Sequence, residues 1–354
     1  LREQTAREEA ALLTDEAGVA EARLSFREAA ELHREAAALL DFDAEAAWAA
    51  WRRAAEALYT LGRDFGDPAM LRQAVDWLEQ EALPRAPRSA RPLDWRGTQT
   101  QLGLALWALG ERGRDNDALR RAVAAFREAL KERARERMPL DWIKSQINLC
   151  GALWTLGECG DAAALHDAVA AYRDVLKECA REPDPFTVAA IHNNLGTALL
   201  RLGQWGFEDA LRDAVAAYRN AVAAYPEPPR PYMHEPETVA WAALQDNLGN
   251  ALAILGERGD DAALHDAVVA HRAALGAYKR ERVPLAWAMT IENLAMALRV
   301  QAERGDDPAP IAEALAAIDG AIEEFAQRDA PHHLNRARRN RERIVETAKA
   351  LGAL

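Results

Sequence analysis

Side-chain amides at a fixed spacing are the groups in this chain best placed to do chemistry, and that chemistry is recognition. Gln101, Asn148, Asn194, Asn247 and Asn293 recur at steps of 47, 46, 53 and 46 residues, each directly before a leucine. An amide offers a donor and an acceptor together, as a polypeptide backbone demands of whatever binds it. The same groups suit a second role, tying one helix to the next, because a buried amide must be satisfied somewhere. The sequence leaves both open. Reactive side chains are scattered by comparison. Cys150, Cys159, His166 and Cys179 are nine, seven and thirteen residues apart, which matches no compact zinc signature. His166 and His265 share one repeat position and so belong to a surface pattern rather than a catalytic pair. The sequence contains no phosphate loop, Gly-x-Ser-x-Gly elbow or His-Glu-x-x-His. The expectation is a protein without catalysis, cofactor or metal.

Composition narrows the partners. Of 354 residues, 50% are hydrophobic and 28% charged, which suits a packed chain rather than a disordered one. With 44 basic against 56 acidic residues the formal charge is −12, so no chain-wide pull toward nucleic acid or anionic membrane is expected. Three cysteines cannot all pair within the chain and are too few for a disulfide framework, which favours a reducing, cytoplasmic setting. Alanine-rich stretches are broken by charge well before the roughly 18 apolar residues of a membrane span. The chain opens on Leu1 rather than Met, which leaves room for a removed leader or an upstream effector domain.

The amides must be positioned by a repeat. Each copy continues as Ala-Leu-x-x-Leu-Gly to Gly110, Gly157, Gly203 and Gly256, where glycine is expected to close a helix in the left-handed conformation; the fifth ends at Ala302. Asp117, Asp161, Asp209 and Asp260 then suit the cap of a second helix, patterned as Ala122-Val123-x-x-Phe126, Ala168-Val169-x-x-Tyr172, Ala214-Val215-x-x-Tyr218 and Ala267-Val268-x-x-His271. Pro92, Pro139, Pro185 and Pro284 restart the next first helix. Small residues at Gly103, Cys150, Gly196 and Gly249 allow the paired helices to approach closely. A degenerate copy at Leu58-Tyr59-Thr60-Leu61-Gly62 precedes these, and a further second helix is expected over Ile311 to Ile322.

Leu-Gly, then Ala, an aromatic four residues later and Ala three after that, resembles the skeleton of the tetratricopeptide repeat over residues 43 to 330. The 46-residue unit is similar to the extended repeats of kinesin light chains and of many bacterial sensor proteins. The resemblance implies an all-α, right-handed α-solenoid of antiparallel helical hairpins: a helical cap at 1–41 containing a lone helix from about residue 22 to 40, six repeats at 42–330, and a capping helix at 331–354. It also implies a concave face that binds a protein or extended peptide, with Asn in the column before Leu contacting the peptide backbone. Gln101, Lys144, Asn148, Asn194, Asn247, Asn250, Asn293 and Tyr232 are the candidate partner-binding residues. Lys144 alone fits the position of an acidic-tail clamp, so a strong carboxylate clamp is not expected.

Four other features carry alternatives. Trp95, Trp142, Trp241 and Trp287 lie seven residues before the column leucine and suit core packing or partner anchoring. The seven extra residues between Ala223 and Thr238, with five prolines and Tyr232, make either a passive insertion or a docking loop. The joint from Pro84 to Pro92 carries three arginines. The last helix sets Arg336, Arg338, Arg339, Arg341, Arg343 and Lys349 against Glu342 and Glu346, as a solvated face, an intramolecular contact or a nucleic-acid patch. The reading is a non-catalytic binding scaffold, the sensor or adaptor part of a larger bacterial protein. Self-assembly into homo-oligomers is its alternative.

Overall fold

A computed structural model describes residues 1–131, 139–179, 184–225 and 235–354. The chain divides into two units, Leu1–Glu178 and Cys179–Leu354. Among the described residues no strand occurs. In unit 1 the helices are α1 (Arg2–Ala22), α2 (Phe26–Leu39), α3 (Ala44–Phe65), α4 (Pro68–Trp77), α5 (Leu83–Arg85), α6 (Pro92–Gly113), α7 (Asn116–Lys131), α8 (Pro139–Glu158) and α9 (Ala162–Cys179). A π-helical stretch over Leu78–Ala82 joins α4 to α5. In unit 2 they are α10 (Pro185–Gln204), α11 (Glu208–Ala224), α12 (Glu235–Glu257), α13 (Asp261–Ala277), α14 (Pro284–Gly305), α15 (Ala309–Gln327) and α16 (Pro331–Ala350). Antiparallel neighbours pack as hairpins, α6 on α7, α10 on α11, α12 on α13 and α14 on α15.

The hairpins close because glycine and a large side chain meet at fixed points. A Cβ on Gly103 would stand 2.6 Å from Phe126, on Gly196 2.8 Å from Tyr218 and on Gly249 2.6 Å from His271, so the expected close approach is present. The Leu-Gly glycines have a different job from the one their position suggests. Gly110, Gly157, Gly203 and Gly256 lie within their helices and receive Leu119, Leu165, Leu211 and Leu264, as a Cβ at Gly203 would stand 2.4 Å from Leu211. The left-handed turns come later, at Gly160, Gly206 and Gly259, where a positive φ favours glycine.

Capping is also shifted by a residue or two in places. Asp161 and Asp260 accept the expected amide bonds, from Ala164 and Ala263. Before α7 the acceptor is Asp115 rather than Asp117, and α11 starts after Phe207, leaving Asp209 in its first turn, where a negative charge favours the helix dipole. The prolines begin α6, α8, α10 and α14 as expected.

The amino-terminal segment departs from the lone helix expected over residues 22 to 40. It is a hairpin of α1 and α2, with α2 against α3. Helix α1 buries only alanines, Ala10, Ala17 and Ala20, while Leu12 and Val19 point outward. A pattern search weighted by large apolar residues therefore finds no stripe there. At the other end α16 buries Ala337, Ile344 and Ala348 completely, against α14 and α15.

Candidate functional site

In unit 2 the first helices α10, α12 and α14 are joined by the amide column and the position just before it. Asn247 donates from Nδ2 to Asn193 Oδ1 at 2.9 Å. Asn293 Nδ2 lies 3.3 and 3.4 Å from the two carboxylate oxygens of Asp246. The next residue in that series is Glu292, whose acceptors receive Arg336 (3.0 and 2.7 Å) and Asn340 (2.8 Å) from α16. Thus each first helix presents an acceptor just before its column residue, and the next helix docks on it. In unit 1 Gln101 does the same in both directions: its Nε2 donates to the Arg52 carbonyl at 2.9 Å and its Oε1 accepts from Arg52 Nε at 3.1 Å. Gln101 is only 7% exposed.

The column therefore divides. Gln101, Asn247 and Asn293 use their amides between helices, the tying role. Asn194 is exposed, and its one hydrogen bond among the described residues is a long 3.4 Å one accepted from Asn193, which leaves its own Nδ2 unused there. Asn148 and Asn250 are half-buried and have no hydrogen-bond partner among the described residues. Lys144 is exposed and unpaired among them. Tyr232 and most of the proline-rich insertion lie outside the described residues.

Apolar side chains share the face of the unspent amides. Phe186 on α10 and Leu285 and Met289 on α14 are exposed. On α14, Leu285, Met289 and Met296 are separated by four and seven residues, which at 3.6 residues per turn sets them on one stripe. Thr197 and Asn250 occupy on α10 and α12 the repeat position that Met296 holds on α14. The result is a face with apolar knobs near the starts of α10 and α14 and amides farther along α10 and α12.

No protein-family model matches the sequence, and no curated protein matches it either. Solved structures do. BtubC (BKLC) from P. vanneervenii is 18% identical over 73% of this chain and 92% of its own, with a TM-score of 0.50. The chain has a tetratricopeptide-like α-solenoid fold. The Rap conjugation gene regulator of plasmid pLS20, solved with the Phr* peptide, is 15% identical over 97% of each chain, with a TM-score of 0.40. A Rap protein solved with Competence and Sporulation Factor is 11% identical over 98% of this chain and 99% of its own, with a TM-score of 0.39.

Within this tetratricopeptide-like frame the sequence places His271 in the repeat pattern without assigning it a role, and Asp246 is not singled out at all. His271 fills an aromatic slot, is fully buried, and places Nδ1 2.9 Å from Asp246 Oδ1. The signal was available: a histidine stands where the other copies hold Phe or Tyr. Asp246, adjacent to Asn247, carries a charge at a position filled by neutral Asn193 in the preceding copy. Tyr278 nearby has its phenol pushed up to about 12, first by burial and then by the Asp246 charge. Tyr218, in the slot equivalent to His271, is also raised to about 12 by burial, and its hydroxyl meets Thr197 Oγ1 at 3.0 Å.

The remaining candidates are structural in their contacts. Trp241 is buried, and Trp95, Trp142 and Trp287 are half-buried, with Arg88 stacked over Trp95 and Arg280 over Trp287. The arginines of the Pro84–Pro92 joint are engaged: Arg85 with Asp41 and Glu81, Arg88 near Glu128, and Arg91 with Asp94. On α16, Arg336 and Arg341 are held by Glu292 and Asp319, while Arg338, Arg339, Arg343 and Lys349 are exposed. Burial pushes the Cys150 thiol up to about 12, as suits a packing residue. No group able to hold a metal is present among the described residues, and no described helix is long and apolar enough to cross a membrane.

Proposed function

We propose that unit 2 binds an extended peptide segment of a partner protein along the exposed face of α10, α12 and α14, without catalysis. One observation carries this reading: Asn194 and Asn250 keep amide groups unspent by the array, on the face where Phe186, Leu285 and Met289 stand exposed. Amides suit the partner's backbone, and the apolar residues suit alternate side chains of an extended strand. The other amides of the column support the reading by contrast, since Asn247 and Asn293 are consumed in holding the helices at fixed spacing. A preformed, evenly spaced row lowers the ordering cost of binding.

The test uses the full chain to select binders from a phage-displayed random-peptide library, followed by affinity measurement on two double variants. Asn194→Ala/Asn250→Ala is expected to lose binding at least roughly tenfold with its melting temperature unchanged. Asn247→Ala/Asn293→Ala is expected to melt earlier. Failure to select any peptide, or full affinity in the first variant, overturns the proposal.

A further inference from the structure

We infer that the bound segment carries a basic side chain, lysine or arginine, and that Asp246 receives it. The inference rests on the peptide-binding reading of unit 2 and names the chemistry of its partner. Its basis is charge balance along one structural position. Asn193, Asp246 and Glu292 occupy the same place on α10, α12 and α14, and each accepts from the following first helix or from α16. Asn193 is neutral and is met by a neutral amide. Glu292 is an anion, 1% exposed, and is met by the guanidinium of Arg336. Asp246 is an anion whose hydrogen-bond donors are an amide, Asn293, and an imidazole, His271.

The other deeply buried acid of the unit among the described residues is likewise met by cations. Glu324, 2% exposed, is clasped by Arg280 at 2.8 Å and Arg328 at 3.0 Å. Asp246 has no guanidinium or ammonium partner among the described residues. The ring of His271 makes its one hydrogen bond through Nδ1 to Asp246 Oδ1, while its Nε2 is buried without a partner among the described residues, so the imidazole orients the carboxylate.

An acceptor for Asn293 could be an amide, as Asn193 shows; a carboxylate adds a charge that the hydrogen bonding does not need. That charge is 16% exposed at the side chain, enough for a partner group to reach it, and it stands one helical turn from Asn250. A lysine or arginine there would be partly desolvated and held by a fixed carboxylate, the setting in which an ion pair contributes specificity.

The experiment takes a peptide selected on the wild-type chain and its counterpart with the basic residue replaced by methionine, and measures both by fluorescence anisotropy on wild type and Asp246→Asn. On wild type the replacement is expected to weaken binding roughly tenfold, and on Asp246→Asn the two peptides are expected to bind alike. Wild-type affinity for the basic peptide should also fall faster with salt than affinity for the methionine peptide, a readout that holds even if the variant folds poorly. Selected peptides that lack a basic residue, or an equal loss on both proteins, would overturn the inference while leaving peptide binding intact. Loss of all selection would overturn both.

Discussion

The first helices of the two units are tied by different chemistry. In unit 1 indoles share the tying with the Gln101 amide, which holds Arg52 of α3. Trp48 on α3 donates to Thr98 on α6, and Trp107 on α6 donates to Thr155 on α8, each at 2.9 Å. Trp107 lies across Gly151, where a Cβ would stand 2.3 Å from its ring. Seven of the ten tryptophans precede Cys179, so this half invests its large aromatic area between helices. In unit 2 the ties are amides and carboxylates. An indole has one polar hydrogen and spends it on the tie; an amide or carboxylate has several sites and keeps some. One repeat skeleton therefore yields a half tied largely by aromatic packing, where Asn148 is the column amide left unspent among the described residues, and a half tied by groups that have sites to spare. The proposed peptide-binding face lies in the second half.

The sharpest way to break this contrast is to remove one tie from each unit. Trp107→Ala deletes a large half-buried ring and exposes the α6–α8 contact, and about 3 kcal/mol of stability should go with it. Native-state hydrogen exchange should localise the loss to α6 and α8. Asn247→Ala removes a hydrogen bond and little area, so about 1 kcal/mol is expected, localised to α10 and α12. If the two cost the same, the units are tied by equivalent means and the comparison fails. Asn194→Ala sharpens the other side: an amide not used by the fold should cost within about 0.5 kcal/mol. A larger loss would show that Asn194 belongs to the tying set.

How much of this was legible in sequence depended on whether a feature belongs to one residue or to a relation. The hairpins were legible because every copy must refill the same leucine, small-residue and aromatic slots. The Leu-Gly glycines were placed correctly but given the wrong task, since a glycine near a helix end serves either a reversal or a close approach; only the neighbour, Leu211 over Gly203, decides it. The amide column was legible as a set, and its division was not, because whether Asn247 is spent depends on Asn193 across the helix pair. The imbalance at Asp246 is a comparison among three helices. Helix α1 was missed for a local reason, its buried face being alanine alone.

Titration separates the units by the finest effect. In unit 1 His33 is 3% exposed, and burial lowers its affinity for protons below the ordinary 6.5, with Glu21 at 3.4 Å opposing. The unfolded chain then binds the proton before the folded one, so stability falls as pH drops below about 6.5 and levels off below the folded value. In unit 2 Glu324 is held below its ordinary 4.5, first by its hydrogen bond from Arg280, with Arg328 adding to it. Its contribution is complete above 4.5 and is lost as pH falls through the lower folded value. Both groups weaken the protein in acid, in separate windows. His192 on α10 is also lowered by burial, so the comparison must be made between variants and not between raw unit stabilities. Thermal melts from pH 8 downward should show His33→Leu flattening the curve around and below 6.5 while Glu324→Gln flattens it only in the carboxylate range. A Glu324→Gln curve that departs from wild type already at pH 6 to 7, in shape and not only in height, would mean that the clasp from Arg280 and Arg328 is coupled to a histidine, and the two windows would no longer mark two separate units.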